Sequence, residues 1–597
     1  MTAPPRWEVT TTDANIPLMC AVLGVRPATA TVMAHRGLRS KNAALGFLQP
    51  DVRQLALPFN AADTQEAFRR LAEGLSRNDR MFIYGDYDVD GVMSTAILYK
   101  ALRHAGADVH YYIPHREEEG YGLNADAVRR LKALDTDLLI TCDNGIAALE
   151  EIKLAQGLGM DVVVIDHHEP GFIDTPEGRL DVLPEAAAVV DPKRADCPYP
   201  FKEMCAAGLS FRFAWALYQH MGRDFAALWD ELLVLAAIAT VCDIVDLQGE
   251  NRLLVKAGLA TLNANPDINP GLGRLIALKG YQEKPIDTFT LGFVLGPCIN
   301  ATGRLENAEM AVRMLLSQDT AEQNELAQQL AALNDERKEI TKKCVARALE
   351  AVAETPNEKV VVLVDTETHE SIAGIVAGRV KEEIHRPVIM LTRGAPVEGH
   401  GPVLKGSGRA IPAYNLFEAL YAQRELFIRF GGHAMAAGLS LEEENVDVLR
   451  ERLNAGCTLS EADFSPTLLL DAELPPEDAT LPLAQELERL APFGKGNREP
   501  LFLVRGLRVA ALRDIHEKNT LIFTFLVAGR KVKGIAFGLN VRFWDMLAQH
   551  YSEADIRHMR SGALAGVALA LDVACVPETN TYNGNTTVQL RIKDVRI

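Results

Sequence analysis

The sequence lacks most of the signals that would take a chain out of the cell or into a bilayer. Its nine cysteines include no CxxC pair and are odd in number, which excludes a zinc ribbon and a disulfide framework and fits reduced thiols in a cytoplasm. No basic stretch leads into an apolar one near the start, so no export signal is expected. The most apolar run, residues 232–242, falls far short of the ~20 residues that cross a bilayer, so no membrane partner is expected. There is no GxxxxGK[ST], which excludes a Walker-type ATPase; the Lys405-Gly-Ser segment lacks the upstream glycine spacing. Internal repeats and low-complexity tracts are absent as well. Positive charge is in deficit: 62 Lys and Arg against 80 Asp and Glu leave a net charge of −18. Such a chain does not coat nucleic acid over its whole surface, although it can grip it locally. The deficit is uneven, since residues 500–597 carry 13 Lys and Arg against 8 Asp and Glu. That asymmetry suggests a basic accessory module on an acidic body.

What is present is a chain of 597 residues, 48% hydrophobic and 24% charged, enough for about three or four domains with their own cores. From 80 to 193 short apolar runs (81–84, 109–113, 138–141, 162–165, 187–190) alternate with helical stretches (92–104, 125–134, 147–157). Strands separated by helices of that length predict βαβ units and a parallel sheet, with a ligand crevice beyond the carboxyl ends of the strands. A mostly helical stretch follows to about 315. Residues 320–354 read as one helix on the order of 50 Å long, with Thr320 and Gln323 as a capping box and Pro356 as the stop. Polar on most faces, it reads as a connector. A second α/β unit starts at 360–365 with a helix over 371–383 and a strand over 387–391. The last 130 residues carry five strand-like runs (502–509, 521–527, 532–536, 569–576, 586–592), and Asn583-Gly584 is a tight-hairpin signal. The predicted fold class is α/β: two α/β domains joined by a long helix, plus a terminal β-barrel. The boundaries are an extension over 1–45 packed near the first domain, the first domain over 46–319, the connector over 320–356, the second domain over 357–460 and the barrel over 461–597.

The strongest chemical signal is Asp86-Tyr-Asp88-Val-Asp90-Gly91, three carboxylates at alternate positions after an apolar run. So packed, they repel unless a cation holds them together. An EF-hand loop shares the DxDxDG start, but it needs a Glu about six residues past the glycine and helices on both sides. Position 97 is Ile and the element upstream is a strand, so calcium signalling is rejected. Asp143 in Cys-Asp143-Asn-Gly145, Asp166-His167-His168 and Asp243 in Val-Cys-Asp243 read as further acids at strand ends. Each alone is more simply a helix cap. Four such acids and an imidazole pair exceed what capping explains, and hard carboxylates with imidazole and no thiolate favour Mn²⁺ or Mg²⁺ over zinc.

The ordered set DYDVDG, DNG, DHH and VCDIVDL resembles the DHH phosphoesterase superfamily, and within it the RecJ-type single-strand-specific DNA exonucleases. Gly249-Glu-Asn-Arg252, Asn300-Ala-Thr-Gly-Arg304-Leu305, Lys405-Gly-Ser407-Gly-Arg409, Phe430-Gly-Gly-His433 and Pro492-Phe-Gly-Lys-Gly-Asn497 with Glu499-Pro-Leu-Phe502 extend the resemblance over roughly 40–597. It implies a DHH domain, a DHHA1-like second domain and an OB-like barrel. It also implies two divalent cations about 3.5–4 Å apart, with Asp143 bridging them, Asp88 on one, and Asp90, His167 and Asp243 on the other. Asp166 and His168 would orient ligands or contact a phosphate, and Asp86 stays open between ligand and supporting group. The chain departs from the wider superfamily at Tyr84, where small pyrophosphatases and phosphodiesterases have a metal-binding His.

The implied activity is release of 5′-mononucleotides from the 5′ end of single-stranded DNA in repair and recombination. A 5′-phosphate would sit among Arg116, Ser407 and Arg409, while Asn300, Arg304 and His433 face the DNA backbone. Strand opening would come from a partner such as a helicase, with a single-strand-binding protein as a second partner. The plainer reading of Arg116 is an ion pair with Glu117–Glu119, and that of His433 is a satisfied loop histidine. In the barrel, Phe537, Tyr582, Trp544, Phe523 and Phe525 are candidate stacking rings, although alternation puts Phe523 and Phe525 in the core. Lys518, Arg530, Lys531 and Lys533 are better placed to meet a backbone. Two other functions compete: a DHH phosphodiesterase for short oligonucleotides or cyclic dinucleotides, and a non-enzymatic replication-fork scaffold.

Overall fold

The computed structural model describes residues 4–50, 55, 59–176, 178–397, 399–562 and 568–597. Residues 1–3 of the expected extension lie outside the described residues. The chain divides into two compact units, one over 55–466 and one over 5–54 with 467–597.

The first unit opens with a five-stranded sheet whose neighbours are all parallel. Its order is Asp108–Tyr112, Arg80–Tyr84, Leu138–Cys142, Asp161–Ile165 and Ala188–Val190. These strands are short apolar runs because both faces are covered. Phe68, Leu98 and Phe213 pack on one side, and Val128, Leu131 and Ile152 on the other. The first strand lies between the second and the third, so consecutive connections leave it in opposite directions. A crevice opens beyond the carboxyl ends at that point, where Asp86 and Asp143 emerge. An exposed hairpin, Gly171–Thr175 with Gly178–Val182, precedes the fifth strand; its sequence gave no period to read.

Helices fill most of 206–316 as expected. Asp243, however, stands at the carboxyl end of the helix Ala226–Cys242, not at a strand end. An apolar run of that length satisfies either reading until its neighbours are known. The long helix Thr320–Glu354 has 35 residues. Its cap is Asp319, which accepts from Ala321 N at 2.8 Å, while Gln323 donates to Ser317 O at 2.9 Å. A carboxylate one residue earlier out-competes the Thr320 hydroxyl. The helix is more than a connector: Leu326, Ala327 and Leu330 enter the first domain's helical core, and Cys344 and Ala348 pack in the second.

The second sheet runs Phe427–His433, Ala436–Glu442, Val403–Arg409, Val388–Arg393, Val361–Val364, and only the last pair is parallel. His433 is therefore a strand-end residue beside a hairpin rather than a loop residue.

In the second unit five strands (Phe502–Ile515, Thr520–Val527, Arg530–Phe537, Asn585–Arg596, Ala570–Tyr582) close into a barrel, because Phe502–Ile515 also pairs with Ala570–Tyr582. Asn583 and Gly584 form the predicted hairpin with φ of 48° and 76°, the left-handed pair that matches strand twist. Phe523 and Phe525 are fully buried, and Trp544 is buried with its indole N–H on Asp514 at 2.7 Å, so it offers no stacking face to solvent; Phe537 and Tyr582 are exposed. The described N-terminal segment belongs to the barrel's unit, whereas the sequence placed it near the first domain. Arg6–Val9 pairs in parallel with Thr467–Leu470, Trp7 donates to Asp594 at 2.7 Å, and Met19, Val32 and Met33 join the barrel's core. Contacts spanning more than 450 positions leave no local pattern. All nine cysteines are free, and no single helix among the described residues is long and apolar enough to cross a membrane.

Candidate metal centre and phosphate pocket

The first strand ends at Tyr84 and the helix Val89–His104 begins five residues later, with Asp86 and Asp88 on the turn between them and Asp90 in the helix's first turn. Asp88 is the helix cap, one oxygen accepting from Asp90 N at 2.9 Å and Gly91 N at 3.1 Å. The capping reading of this acid holds, and the same carboxylate also joins a cluster with Asp86 and Asp143. Gly91 is required here, since a Cβ would lie 2.5 Å from the Asp86 backbone. Asp90 is buried and accepts from Ala206 N and Ala207 N at 2.7 and 2.8 Å, at the positive end of the helix Ala206–His220. Asp143 takes φ of 62°, an uncommon conformation for a non-glycine residue, and its Oδ1 lies 3.2 Å from His167 Nε2. His167 stands 3.7 Å from Asp90 and 3.9 Å from Asp243, a second cluster. Asp243 sits at the negative end of its helix, where a carboxylate is disfavoured without a compensating cation.

The electrostatics point the same way. Burial and then the neighbouring acids push Asp86 up to about 8, Asp90 and Asp243 up to about 7, and Asp143 well above the usual carboxylate range. The Oδ1 of Asp86 has no hydrogen-bond partner. Burial keeps His167 below its ordinary value, and hence a neutral ligand. Buried acids that repel one another, an orphan oxygen and a neutral imidazole fit divalent cations. The thiols nearby do not compete for the metal: burial raises Cys142 to about 12 and pushes up Cys205 and Cys242 as well. Asp166 behaves differently. Burial would raise it, but His168 Nδ1 at 2.7 Å and the backbone N–H of Ile146 hold it at about 2. Burial lowers His168, yet the Asp166 carboxylate wins and lifts it to about 9. The pair is an imidazolium–carboxylate bridge beside the metal cluster.

Tyr84 is turned into the core. It stacks on Tyr112 at 5.5 Å and its hydroxyl donates to Gly122 O at 3.0 Å. Two residues here escaped sequence reading. Tyr121 contacts the Asp143 carbonyl at 3.3 Å and His168 Nε2 at 3.2 Å. Asp191, buried at the end of the fifth strand, is pushed up to about 8 by burial and then Asp166; the apolar run ending in Asp was the available signal.

Beside this cluster lies a cavity of about 250 Å³ lined by Arg116, Arg304, Ser371, Gly374, Ser407 and Arg409, together with Lys405 and Glu370. Arg116 lies 4.9 Å over the Tyr87 ring, and no described ion pair ties it to Glu117–Glu119; Glu117 pairs with His369 and Glu119 accepts from Tyr112. Arg304 donates to Ser371 O, whose hydroxyl donates back to Arg304 O at 2.9 Å. Burial, then Arg116 and Arg337, bring Arg304 down to about 10. Arg409 donates to Ser407 Oγ at 3.0 Å and to Gly408 O at 2.8 Å. The carboxylate in the lining, Glu370, is bridged to Lys405 at 2.9 Å, so among the described residues no ion pair engages the three guanidiniums that face the cavity. Gly374 lets Arg409 and Ser407 pack against its helix, since a Cβ would lie 2.7 Å from Arg409 and 2.8 Å from Ser407. Tyr87, between Asp86 and Asp88, joins pocket to metal loop.

Arg116, Arg304, Ser407 and Arg409 thus come together, as do Asp86, Asp88, Asp90, Asp143, His167, His168 and Asp243. Asn300 and His433 do not line the pocket. Asn300 Oδ1 accepts from Val89 N at 3.2 Å, and His433 is exposed at its strand end. Ser371 and Gly374 went unread because they lie on a helix whose pattern shows only amphipathicity.

The DHH family, N-terminal domain, matches residues 80–240, the DHHA1 domain 357–458 and the RecJ OB domain 470–594. The single-stranded-DNA-specific exonuclease RecJ of Bacillus subtilis is 38% identical over 519 residues, 86% of this chain and 63% of that protein. This chain therefore spans under two thirds of that relative's length. The protein of the same name from Salmonella typhimurium is 33% identical, covering 95% of this chain and 96% of the relative. The crystal structure of RecJ from Thermus thermophilus in complex with Mn²⁺ aligns with a TM-score of 0.78 at 30% identity, over 99% of this chain and 79% of that one. The corresponding Mg²⁺ complex aligns with a TM-score of 0.72 at 29% identity, over 99% and 78%.

Proposed function

The chain belongs to the RecJ family of DHH phosphoesterases, and from that premise we propose that it hydrolyses single-stranded DNA from the 5′ end, releasing 5′-mononucleotides, in DNA repair and recombination. The observation that carries the reading is the sharing of Tyr87 between an acidic cluster and an arginine pocket. A terminal phosphate held by the arginines leaves the next phosphodiester near the carboxylates. Two divalent cations, Mn²⁺ or Mg²⁺, would be held by Asp86, Asp88 and Asp143 on one side and Asp90, His167 and Asp243 on the other, with Asp143 shared. When bound they supply charge neutralisation at the scissile phosphate and a lowered pKa for the attacking water.

The chain's own residues do the rest. Arg116, Arg304 and Arg409 bind the 5′-phosphate through forked N–H groups, and Ser407 adds a hydroxyl. His168, held by Asp166 at Nδ1 and by the Tyr121 hydroxyl at Nε2, stands beside the carboxylates, where a charged imidazole would face the substrate phosphate. Asp88, by capping the helix, fixes the loop that carries Asp86 and Asp90. Asn300 secures the same helix start and flanks the DNA path, His433 contacts the backbone on the second α/β domain, and on the barrel Lys518, Arg530, Lys531 and Lys533 form a set of backbone contacts of their own. Free thiols support a cytoplasmic site of action. Absence of a nucleotide-binding loop supports reliance on a helicase and a single-strand-binding protein for strand opening. The domain order is extension 1–45, DHH domain 46–319, helix 320–356, DHHA1-like domain 357–460 and OB-like barrel 461–597.

The test is digestion of a 5′-phosphorylated 40-mer, labelled at either end, beside a dinucleotide and with or without chelator. The 5′ label leaving first, as mononucleotide and only with metal, is expected. Hydrolysis of the dinucleotide alone would favour a short-substrate phosphodiesterase, and strand binding without cleavage a scaffold.

A further inference from the structure

Phe289 and Phe293 stand out on the first unit. They are 59% and 65% exposed, with ring centroids 5.0 Å apart and planes inclined by 20°. Among the described residues they are the one ring pair with both members exposed. Two bare phenyl rings stacked in water bury little area for the apolar surface they present, so their own packing gives them no evident structural purpose. They flank the start of a π-helical turn, Leu291–Leu295, set between Thr288–Thr290 and the helix Gly296–Leu305, an irregularity that recurs at functional sites.

Their position follows from the face they share. Phe289, Phe293, Pro297, Asn300 and Arg304 recur at spacings of four, four, three and four, one stripe of a helix. These positions are exposed or half-buried, whereas Leu291, Leu295, Gly296, Cys298, Ile299, Ala301, Thr302 and Gly303 between them are buried. At one end of the stripe Arg304 lines the phosphate pocket. In the middle Asn300 holds Val89 N at the start of the metal-loop helix, and a Cβ on Gly303 would lie 2.6 Å from Tyr87 O. The other end is the phenyl pair. At a 1.5 Å rise, fifteen and eleven residues put Phe289 and Phe293 roughly 22 and 16 Å from Arg304 along the helix.

Resting on the exonuclease reading, we propose that Phe289 and Phe293 form a stacking platform for bases of the substrate strand. The platform would lie about five to seven nucleotides from the 5′-phosphate at the ~3.4 Å spacing of a stacked strand, and fewer if the strand is extended. Every nucleobase has an apolar π face, so such a platform holds the strand without reading its sequence. It would keep the shortened strand on the enzyme while the new 5′ end moves into the arginine pocket.

The experiment compares the metal-loaded full chain with Phe289→Ala/Phe293→Ala and Phe289→Tyr/Phe293→Tyr on a 5′-phosphorylated 20-mer and a 5′-phosphorylated dinucleotide too short to reach the rings. Stacking per base corresponds to roughly a five- to hundredfold effect. The alanine variant is expected to lower the ratio of kcat/KM for the 20-mer over the dinucleotide by about tenfold or more, through KM. The tyrosine variant should restore it. Abasic sites at nucleotides 3–7 should raise the wild-type KM while adding nothing to the alanine variant. An unaltered ratio overturns the platform, as does a dimer of the wild type that the alanine variant loses, which would make the rings a contact between copies. A wild type that cleaves neither substrate overturns the exonuclease reading itself.

Discussion

The carboxylate centre and the arginine pocket adjoin across Tyr87, yet their charges are handled in opposite ways. In the centre, like charges are buried together and respond by holding protons: Asp86 at about 8, Asp90 and Asp243 at about 7. In the pocket, guanidiniums cannot give up their protons near neutral pH, so Arg304 and Arg409 are lowered by burial but stay charged. Near neutral pH these three acids are thus partly protonated, whereas the pocket's guanidiniums remain cationic. On the proposed reading, cations entering the centre would displace protons, and a phosphate entering the pocket would not.

The comparison breaks first at Asp143, the acid common to both the metal cluster with Asp86 and Asp88 and that with His167 and His168. Asp143→Ala should reduce hydrolysis on the order of 10³-fold or more and leave single-strand binding by anisotropy nearly intact; binding lost in parallel would make Asp143 structural. Next, Arg409→Ala or Arg116→Ala should raise KM for 5′-phosphorylated strands by roughly ten- to a hundredfold, the worth of charge-assisted hydrogen bonds. A 5′-hydroxyl strand should lose much less, and equal losses on both would remove the pocket's role.

Smaller effects sharpen the contrast. The folded-state values of Asp86, Asp90 and Asp243 are raised above the ~3.9 of an unfolded chain. Their contribution to stability is therefore present below about pH 4 and lost as pH rises through about 7–8. The chelated protein should lose several degrees of Tm between pH 5.5 and 8.5, roughly, while the Mn²⁺-loaded protein should not; parallel curves would count against metal at these acids. The smallest concerns Tyr84, packed in the core with its hydroxyl on Gly122 O. Tyr84→His should cost about 1–3 kcal/mol of stability by denaturant titration without tightening Mn²⁺ binding. Tighter binding would mean that the superfamily's histidine geometry is recoverable here.

The parallel sheet was legible because strands covered on both faces must be apolar runs of about five residues, and its strand ends carry the acids. The second sheet was legible only in Val361–Val364 and Val388–Arg393. Its antiparallel strands run through Gly406-Ser407-Gly408, for which the sequence predicts no strand, and Gly431-Gly432, whose following His433 reads as a loop residue, because glycine has little intrinsic strand preference; cross-strand pairing overrides that. Asp243 was found as a candidate by its motif and misassigned to a strand end, since a buried helix and a buried strand can both be continuously apolar. Arg116 was left open between ion pair and pocket because pairing depends on which side chain arrives opposite. Asp191 and Ser371 were missed altogether.

Residue type and local spacing carried the chemistry: carboxylates crowded at alternate positions 86, 88 and 90, with further acids and imidazole in short motifs, point to divalent cations before the fold is known. Tertiary structure decided the company each residue keeps. Only folding brought Asp243 from a helix end to His167, set Arg304 against Ser371 across two domains, and joined residues 5–50 to the unit that holds the barrel. Local order is governed by torsion and periodicity within a few residues, and the sequence displays these directly. Long-range partners are chosen by burial and charge summed over the whole chain, and no short window contains that sum.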